Sequence, residues 1–238
     1  MPAMRGWFRE MGESGGLDAL LHKYYGHLER YEVSNSPRYF ERMVTRLPKY
    51  LDIFLAAEEE TGLPWTLLAA VAYQESHWDP DAVSPTGVRG LMMLTEQTAA
   101  WMEIENRRDP EQSIRGGSRY LRRLLDRIPA FIPEPDRLWM ALAAYNVGFG
   151  HLQDARMLAV RLHENPNAWE GVENVLPRLA WSRYYQDLRH GYARGHEPVI
   201  YVRQVRNYWD LLANVFERPV IEEQRPDPED VAAPAATG

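Results

Sequence analysis

An all-α fold is predicted by three features of the chain. Apolar and aromatic residues recur at spacings of three and four through successive segments, no alternating strand pattern persists, and no block repeats at a solenoid-like period. With 238 residues and 45% hydrophobic content, there is material for one sizeable helical core. The chain divides into a disordered or added N-terminal stretch, 1–16, one helical domain, 17–217, and a disordered tail, 218–238.

The elements follow in order. LDALLHKYYGHLERYE at 17–32 is amphipathic, with Lys23 and Arg30 opposite its apolar side. Ser36-Pro37 gives a helix start, and RLPKYLDIFLAAEEETG restarts at Pro48 and stops at Gly62. The aromatic residues Tyr24, Tyr25, Tyr39 and Phe40 fall at helical spacing and are assigned to packing. Leu63-Pro64 opens the next helix, in which Leu67, Leu68, Val71, Ala72 and Trp78 are expected to form one apolar face. Thr95 caps a short helix, EQTAAWME, and Asp109-Pro110 starts a longer one reaching Ile128. Its Gly116-Gly117 pair, unfavourable in a helix by about 1 kcal/mol per residue, marks close packing. PEPDRLWMALAAYNVGFG has an acidic start and a stop at Gly148, so Tyr145 and Asn146 occupy a last turn. Two further helical segments follow, joined through Asn165-Pro166-Asn167, and EPVIYVRQVRNYWDLLANVFE forms a long final helix. After Arg218, Pro, Glu and Asp dominate and apolar surface is too scarce to order the chain.

Composition narrows the function. A net charge of −7 opposes nonspecific nucleic-acid binding, which depends on clustered Lys and Arg. Locally, Arg183, Arg189, His190, Arg194 and His196 could attract an anionic glycan, and a solvated face explains them equally well. The chain has no cysteine, so disulfides and thiolate metal sites are excluded and either redox compartment is tolerated. Neither a signal-peptide h-region nor a run of apolar residues of spanning length is found in it. Metal hydrolysis is disfavoured because His196-Glu197 lacks the HExxH spacing and His151, His163 and His190 form no ligand set. GxSxG, P-loop and GxGxxG motifs are missing.

The stretch YQESHWDPDAVSPTGVRGLMMLTEQT at 73–98 holds the best-placed acid, Glu75. Flanking apolar surface would disfavour its ionised form and make it a general acid. A solvated glutamate near a helix end is the competing reading. The loop with Ser84, Pro85, Gly87 and Gly90 then leads back to Leu91-Met92-Met93-Leu94, offering a binding surface beside the acid.

QES, then Ser84 nine residues after the Glu, GVRGLMMLT, AAYN at 143–146 and HEPVIYV at 196–202 together resemble the motif series of the lytic transglycosylases of the soluble-type, goose-lysozyme-like superfamily. The four motifs cover roughly residues 60 to 215 in the family's order. The resemblance implies a lysozyme-like helical domain with extra N-terminal helices, making 17–217 a catalytic domain. It implies Glu75 as the single catalytic acid and then base, cleaving the β-1,4 bond after N-acetylmuramic acid with closure of a 1,6-anhydro ring. Substrate-binding residues carried over are Ser84, at the acetamido group, Met93, Tyr145, Asn146 and Tyr201, the last beside the acid. Where most relatives have Gln after GLM this chain has Met93, which cannot donate a hydrogen bond, and Thr95-Glu96 replaces the common Met-Pro pair.

No cofactor and no metal are implied. The partners implied are peptidoglycan glycan strands and muropeptides, not nucleic acid, in the periplasm. Outer-membrane association and a regulatory N-terminal solute-binding-like domain would belong to a longer protein, of which this chain would be a catalytic fragment with Met1 as an expression start. Two other readings remain: a hydrolytic muramidase of goose-lysozyme type using Asp79 or Asp81 as a second acid, and a noncatalytic glycan-binding module.

Overall fold

Helix ends fall where local capping chemistry places them. The computed structural model describes residues 2–13 and 36–216. In chain order its α-helices are α1 (Pro2–Glu13), α2 (Ser36–Thr45), α3 (Leu51–Thr61), α4 (Trp65–Ser76), α5 (Glu96–Trp101), α6 (Pro110–Arg127), α7 (Asp136–Val147), α8 (Phe149–Arg161), α9 (Trp169–Val175), α10 (Ser182–Tyr185) and α11 (His196–Phe216). Tight 3₁₀ turns at Leu47–Lys49 and Leu176–Ala180 continue the helical course. No strand forms among the described residues; an isolated antiparallel bridge pairs Val83 with Arg89. The all-α expectation holds.

The Thr95 hydroxyl accepts the Thr98 N–H at the start of α5, and the Asp109 carboxylate accepts the Gln112 N–H at the start of α6. Each such cap stabilises a helix end by about 1 kcal/mol by satisfying an otherwise orphaned donor. Gly62 ends α3 in the left-handed conformation. Gly148, at φ 93°, separates α7 from α8 without an intervening loop, a conformation that disfavours any side chain. The helix expected at 17–32, with Tyr24 and Tyr25, and the tail at 218–238 lie outside the described residues.

Two expectations need correction. Residues 2–13, expected to be disordered or added, form α1, because Trp7 and Phe8 find remote aromatic partners: both rings pack on Phe216, which also meets Trp65. Phe8 is only 5% exposed. The second correction concerns α4, which does not bury one apolar face. Every residue from Trp65 to Tyr73 is buried, and Trp78 packs from beyond the helix end.

That burial follows from the helix's neighbours. The long α11 packs across both α4 and α7, α3 lies against α4 and α6, and α6 packs on α7. Small residues at Ala69, Ala70 and Ala72 allow close approach, while Leu67, Leu68 and Val71 fill the remaining space. The buried Thr66 hydroxyl accepts the Trp209 indole N–H at 3.0 Å, satisfying a polar group inside this core. Tyr39 and Phe40 are core residues, as their spacing predicts, with Tyr39 packed edge-to-face on Tyr73. The central α4, buried on all sides from Trp65 to Tyr73, therefore ends at a fixed position.

Candidate active site

Glu75 sits in the last turn of that central helix. The chain leaves α4 through two successive non-glycine residues in the left-handed region, His77 and Trp78, both at φ 54°. Each costs energy for an L-residue. The buried Trp78 offsets the cost by packing on Tyr73 and donating its indole N–H to the Ala69 carbonyl at 2.8 Å. Ser76 Oγ reaches both Ala72 O, at 3.0 Å, and Leu91 O, at 2.9 Å, tying the end of α4 to the Gly90–Leu94 segment.

That segment is pinned from its other side by α6. Met92 N–H donates to the buried Ser113 hydroxyl at 3.1 Å, and Arg107 donates to Leu94 O at 2.8 Å. A Cβ added at Gly117 would lie 2.5 Å from Met92 Sδ, and one at Gly116 would lie 2.6 Å from Ile104 Cγ1. The glycine pair is therefore there for close packing, as expected. Met93 is half-buried at φ 47°, its N–H bonded to Gly90 O at 3.2 Å.

Two tyrosines from distant helices complete the surroundings of the acid. Tyr201 of α11, 4% exposed, donates its hydroxyl to Glu75 Oε1 at 2.7 Å. Tyr145, in the last turn of α7, lies parallel to Tyr201, with ring centroids 6.5 Å apart and an interplanar angle of 13°. Its hydroxyl donates to Met92 O at 2.8 Å, so one tyrosine holds the acid and its neighbour holds the loop. Glu75 keeps a partly accessible edge while its carboxyl is crowded by protein. Burial pushes its pKa up to about 7, with the Tyr201 hydrogen bond pulling the other way by favouring the carboxylate. Burial, and then the charge of Glu75, hold the Tyr145 and Tyr201 hydroxyls well above the usual tyrosine range, so both remain donors.

The other expected residues are placed differently. The Ser84 hydroxyl accepts the Val88 N–H at 2.9 Å and lies 3.1 Å from the Thr86 hydroxyl, shaping the 84–88 turn. Asn146 is exposed at the end of α7. Asp79 is a turn residue: it pairs with Arg46 at 3.3 Å and accepts the Asp81 N–H at 3.1 Å. The basic cluster is dispersed into local contacts, with Arg194 on Glu197, Arg183 over the rings of Trp181 and Tyr184, and His190 N–H on Asp154. Among the described residues, no group of three or more His, Asp or Glu side chains is arranged to hold a metal ion. A broad concavity between α3 and α6 is lined by Asp52, Glu59, Glu60 and Glu111, and contains none of the residues around Glu75.

Sequence reasoning missed Ser76, Ser113 and Tyr120. Tyr120 meets the Tyr145 ring at 5.3 Å. A signal was present: Ser113, Gly117 and Tyr120 recur at i, i+4 and i+7, one face of α6.

Residues 52–166 match the family model described as transglycosylase SLT domain. Residues 52–166 therefore form a domain of that family. The chain is 52% identical over 211 residues, 89% of its length, to a protein of Alkalilimnicola ehrlichii named membrane-bound lytic murein transglycosylase F 1. It is 49% identical over 215 residues, 90% of its length, to membrane-bound lytic murein transglycosylase F of Marinobacter nauticus. With the Alcanivorax borkumensis protein of the same name, identity is 55% over 198 residues, 83% of the chain. The chain spans 43%, 43% and 42% of these three relatives, respectively. The SLT match covers α4 and its acid together with Tyr145, while Tyr201 lies beyond it.

Proposed function

We propose that the chain is a peptidoglycan lytic transglycosylase, cleaving the β-1,4 bond between N-acetylmuramic acid and N-acetylglucosamine without consuming water. The observation that carries this reading is one carboxyl, on Glu75, held at 2.7 Å by the Tyr201 hydroxyl in surroundings that raise its pKa to about 7. A group that gives a proton and then takes one back works best with a pKa near the operating pH.

With Oε1 held by Tyr201, Oε2 carries the proton to the glycosidic oxygen as the C1–O bond breaks. The substrate's N-acetyl group supplies the internal nucleophile at C1. The Glu75 carboxylate then takes the proton of the C6 hydroxyl, whose oxygen attacks C1, displaces the acetamido oxygen and closes the 1,6-anhydro ring. Glu75 ends protonated, ready for another cycle. The aligned rings of Tyr201 and Tyr145 border the place where positive charge develops at C1. Ser84 is the proposed contact for the acetamido group, Asn146 and Met93 are proposed sugar contacts, and no metal or cofactor takes part.

A hydrolytic muramidase would need a second carboxylate to position water. Asp79 is engaged by Arg46 and the Asp81 N–H, which favours the one-acid reaction. The presence of a tuned acid likewise favours an enzyme over a noncatalytic binding module.

The proposed partners are glycan strands and muropeptides on the periplasmic face, where this chemistry would serve cell-wall remodelling and recycling. Outer-membrane association and regulation by an N-terminal solute-binding-like domain belong to the same proposal for a longer protein. The words "membrane-bound" in the relatives' names support association with a membrane. Among the described residues, no helix is long and apolar enough to cross a membrane.

The test is mass spectrometry of digested sacculi. The expected muropeptides are lighter by one water than reducing-end products; reducing ends alone would establish hydrolysis, and no products at all would establish a binder.

A further inference from the structure

Beyond Tyr145 the ring contacts continue away from the acid. Tyr145 meets Tyr120 at 5.3 Å, and Tyr120 meets Trp101 at 5.9 Å in an edge-to-face contact. Accessibility rises along the way: Tyr201 is buried, Tyr145 and Tyr120 are half-buried, and Trp101 at the end of α5 is 47% exposed. Arg123, three residues beyond Tyr120 on α6, places its guanidinium 5.4 Å over the Trp101 ring. A tryptophan open to solvent leaves a large apolar surface wet, which is unfavourable unless something covers it. Here an arginine lies over the ring and Tyr120 meets it edge-to-face, two contacts that favour one orientation of the indole.

The geometry points to Trp101 and Tyr120 as a glycan-binding ledge continuous with the Glu75 site, taking sugar rings of the same strand several residues from the bond that is cut. This rests on the proposed reaction at Glu75 and specifies how the strand is held there. The occupant follows from the surface. Flat apolar faces of pyranose rings stack on exposed indole and phenol rings, and a β-1,4-linked strand extends in a line, matching a row of rings that starts at the acid. Arg123 adds a cation beside these rings, so the ledge suits a strand carrying acidic stem peptides better than a neutral glycan. Held rings outside the cut bond lower the concentration of strand required without altering the chemistry at C1.

The experiment uses Glu75→Gln as a non-turning-over background and measures the Kd for purified glycan strands of graded length, with Trp101→Ala and Trp101→Phe added. The expected result is a rise in Kd of at least fivefold for Trp101→Ala on long strands, shrinking as strands become too short to reach α5. Trp101→Phe should restore most of the affinity. In the turning-over enzyme, Trp101→Ala should raise KM on long strands with kcat retained. An unaltered Kd on long strands overturns the ledge, and so does a loss equal at all lengths, which would mark a structural role. Failure of the ledge leaves anhydro products still forming in the unsubstituted enzyme. Failure of the reaction itself appears separately, as no anhydro product from that enzyme.

Discussion

At the end of α4, two carboxylates four residues apart meet opposite surroundings. Glu75 is enclosed by the rings of two tyrosines contributed by α7 and α11, takes one hydrogen bond from Tyr201, and has its pKa raised to about 7. Asp79 lies past the left-handed exit, partly open to water, with the Arg46 guanidinium and a backbone N–H as partners. The two side chains differ by one methylene group. What separates them is that the first is crowded by groups that do not repay its lost hydration, while the second has a cation and water. The proposed chemistry at neutral pH is therefore assigned to Glu75, while Asp79 shapes the turn.

The contrast is tested most severely at Glu75 itself. Glu75→Gln removes the proton donor with almost no change in shape, and lysis of sacculi should fall at least 100-fold while strand binding persists. Residual lysis above about one percent would show that another group supplies the proton. The same variant should reverse a stability effect. In the unfolded chain Glu75 titrates near 4.5, and in the fold near 7. Between those values the unfolded state binds fewer protons, so this residue makes stability fall as pH rises through the window, and it makes no contribution below it. The fall is on the order of 3 kcal/mol, and urea unfolding at pH 5 and pH 8 should show it flattened in Glu75→Gln. An unchanged difference between the two pH values would mean that the carboxyl is no more buried than that of Asp79.

Tyr201→Phe sharpens the contrast from the other side. It leaves the ring in place and removes the one hydrogen bond that favours the carboxylate, so the Glu75 pKa should climb further. Turnover should drop about tenfold, in keeping with the loss of a hydrogen bond to a charged group. The descending alkaline limb of kcat/KM, set near pH 7 by loss of the acid form, should move to higher pH. A limb that stays where it was would assign that ionisation to a different residue.

The same division between local and remote causes explains what was legible in the sequence. Gly62, Thr95, Asp109 and Gly148 mark helix ends because capping is decided within a few residues, and the structure places those ends there. The close contact at Gly116-Gly117 was legible because glycine inside a helix requires a reason. The burial of α4 on every side from Trp65 to Tyr73 was not, since it depends on α3, α6 and α11 arriving from distant parts of the chain. Residues 2–13 read as disordered because Trp7 and Phe8 have no partner until Phe216 is brought beside them. At the site, Glu75 and Tyr201 stand 126 residues apart, and periodicity assigns that tyrosine to the core without indicating what its hydroxyl touches. Only the motif resemblance linked the two in advance. It could not reveal the Ser76 and Ser113 bonds that fix the Met92 loop against both helices.

The smallest expected effect belongs to Asp79→Asn. Its ion pair with Arg46 is spread over side chains 39% and 32% exposed, so water screens it and its contribution is within about 1 kcal/mol. The amide retains an oxygen able to accept the Asp81 N–H, so the turn itself should persist. Turnover on sacculi should then change by no more than about twofold, with the same anhydro products, because nothing in the one-acid cycle passes through this side chain. A general base that positions water behaves differently, since its amide cannot accept the proton and the rate falls by orders of magnitude. A 100-fold loss in Asp79→Asn, with folding intact by circular dichroism, would therefore restore the two-carboxylate mechanism and make Asp79 a partner of Glu75.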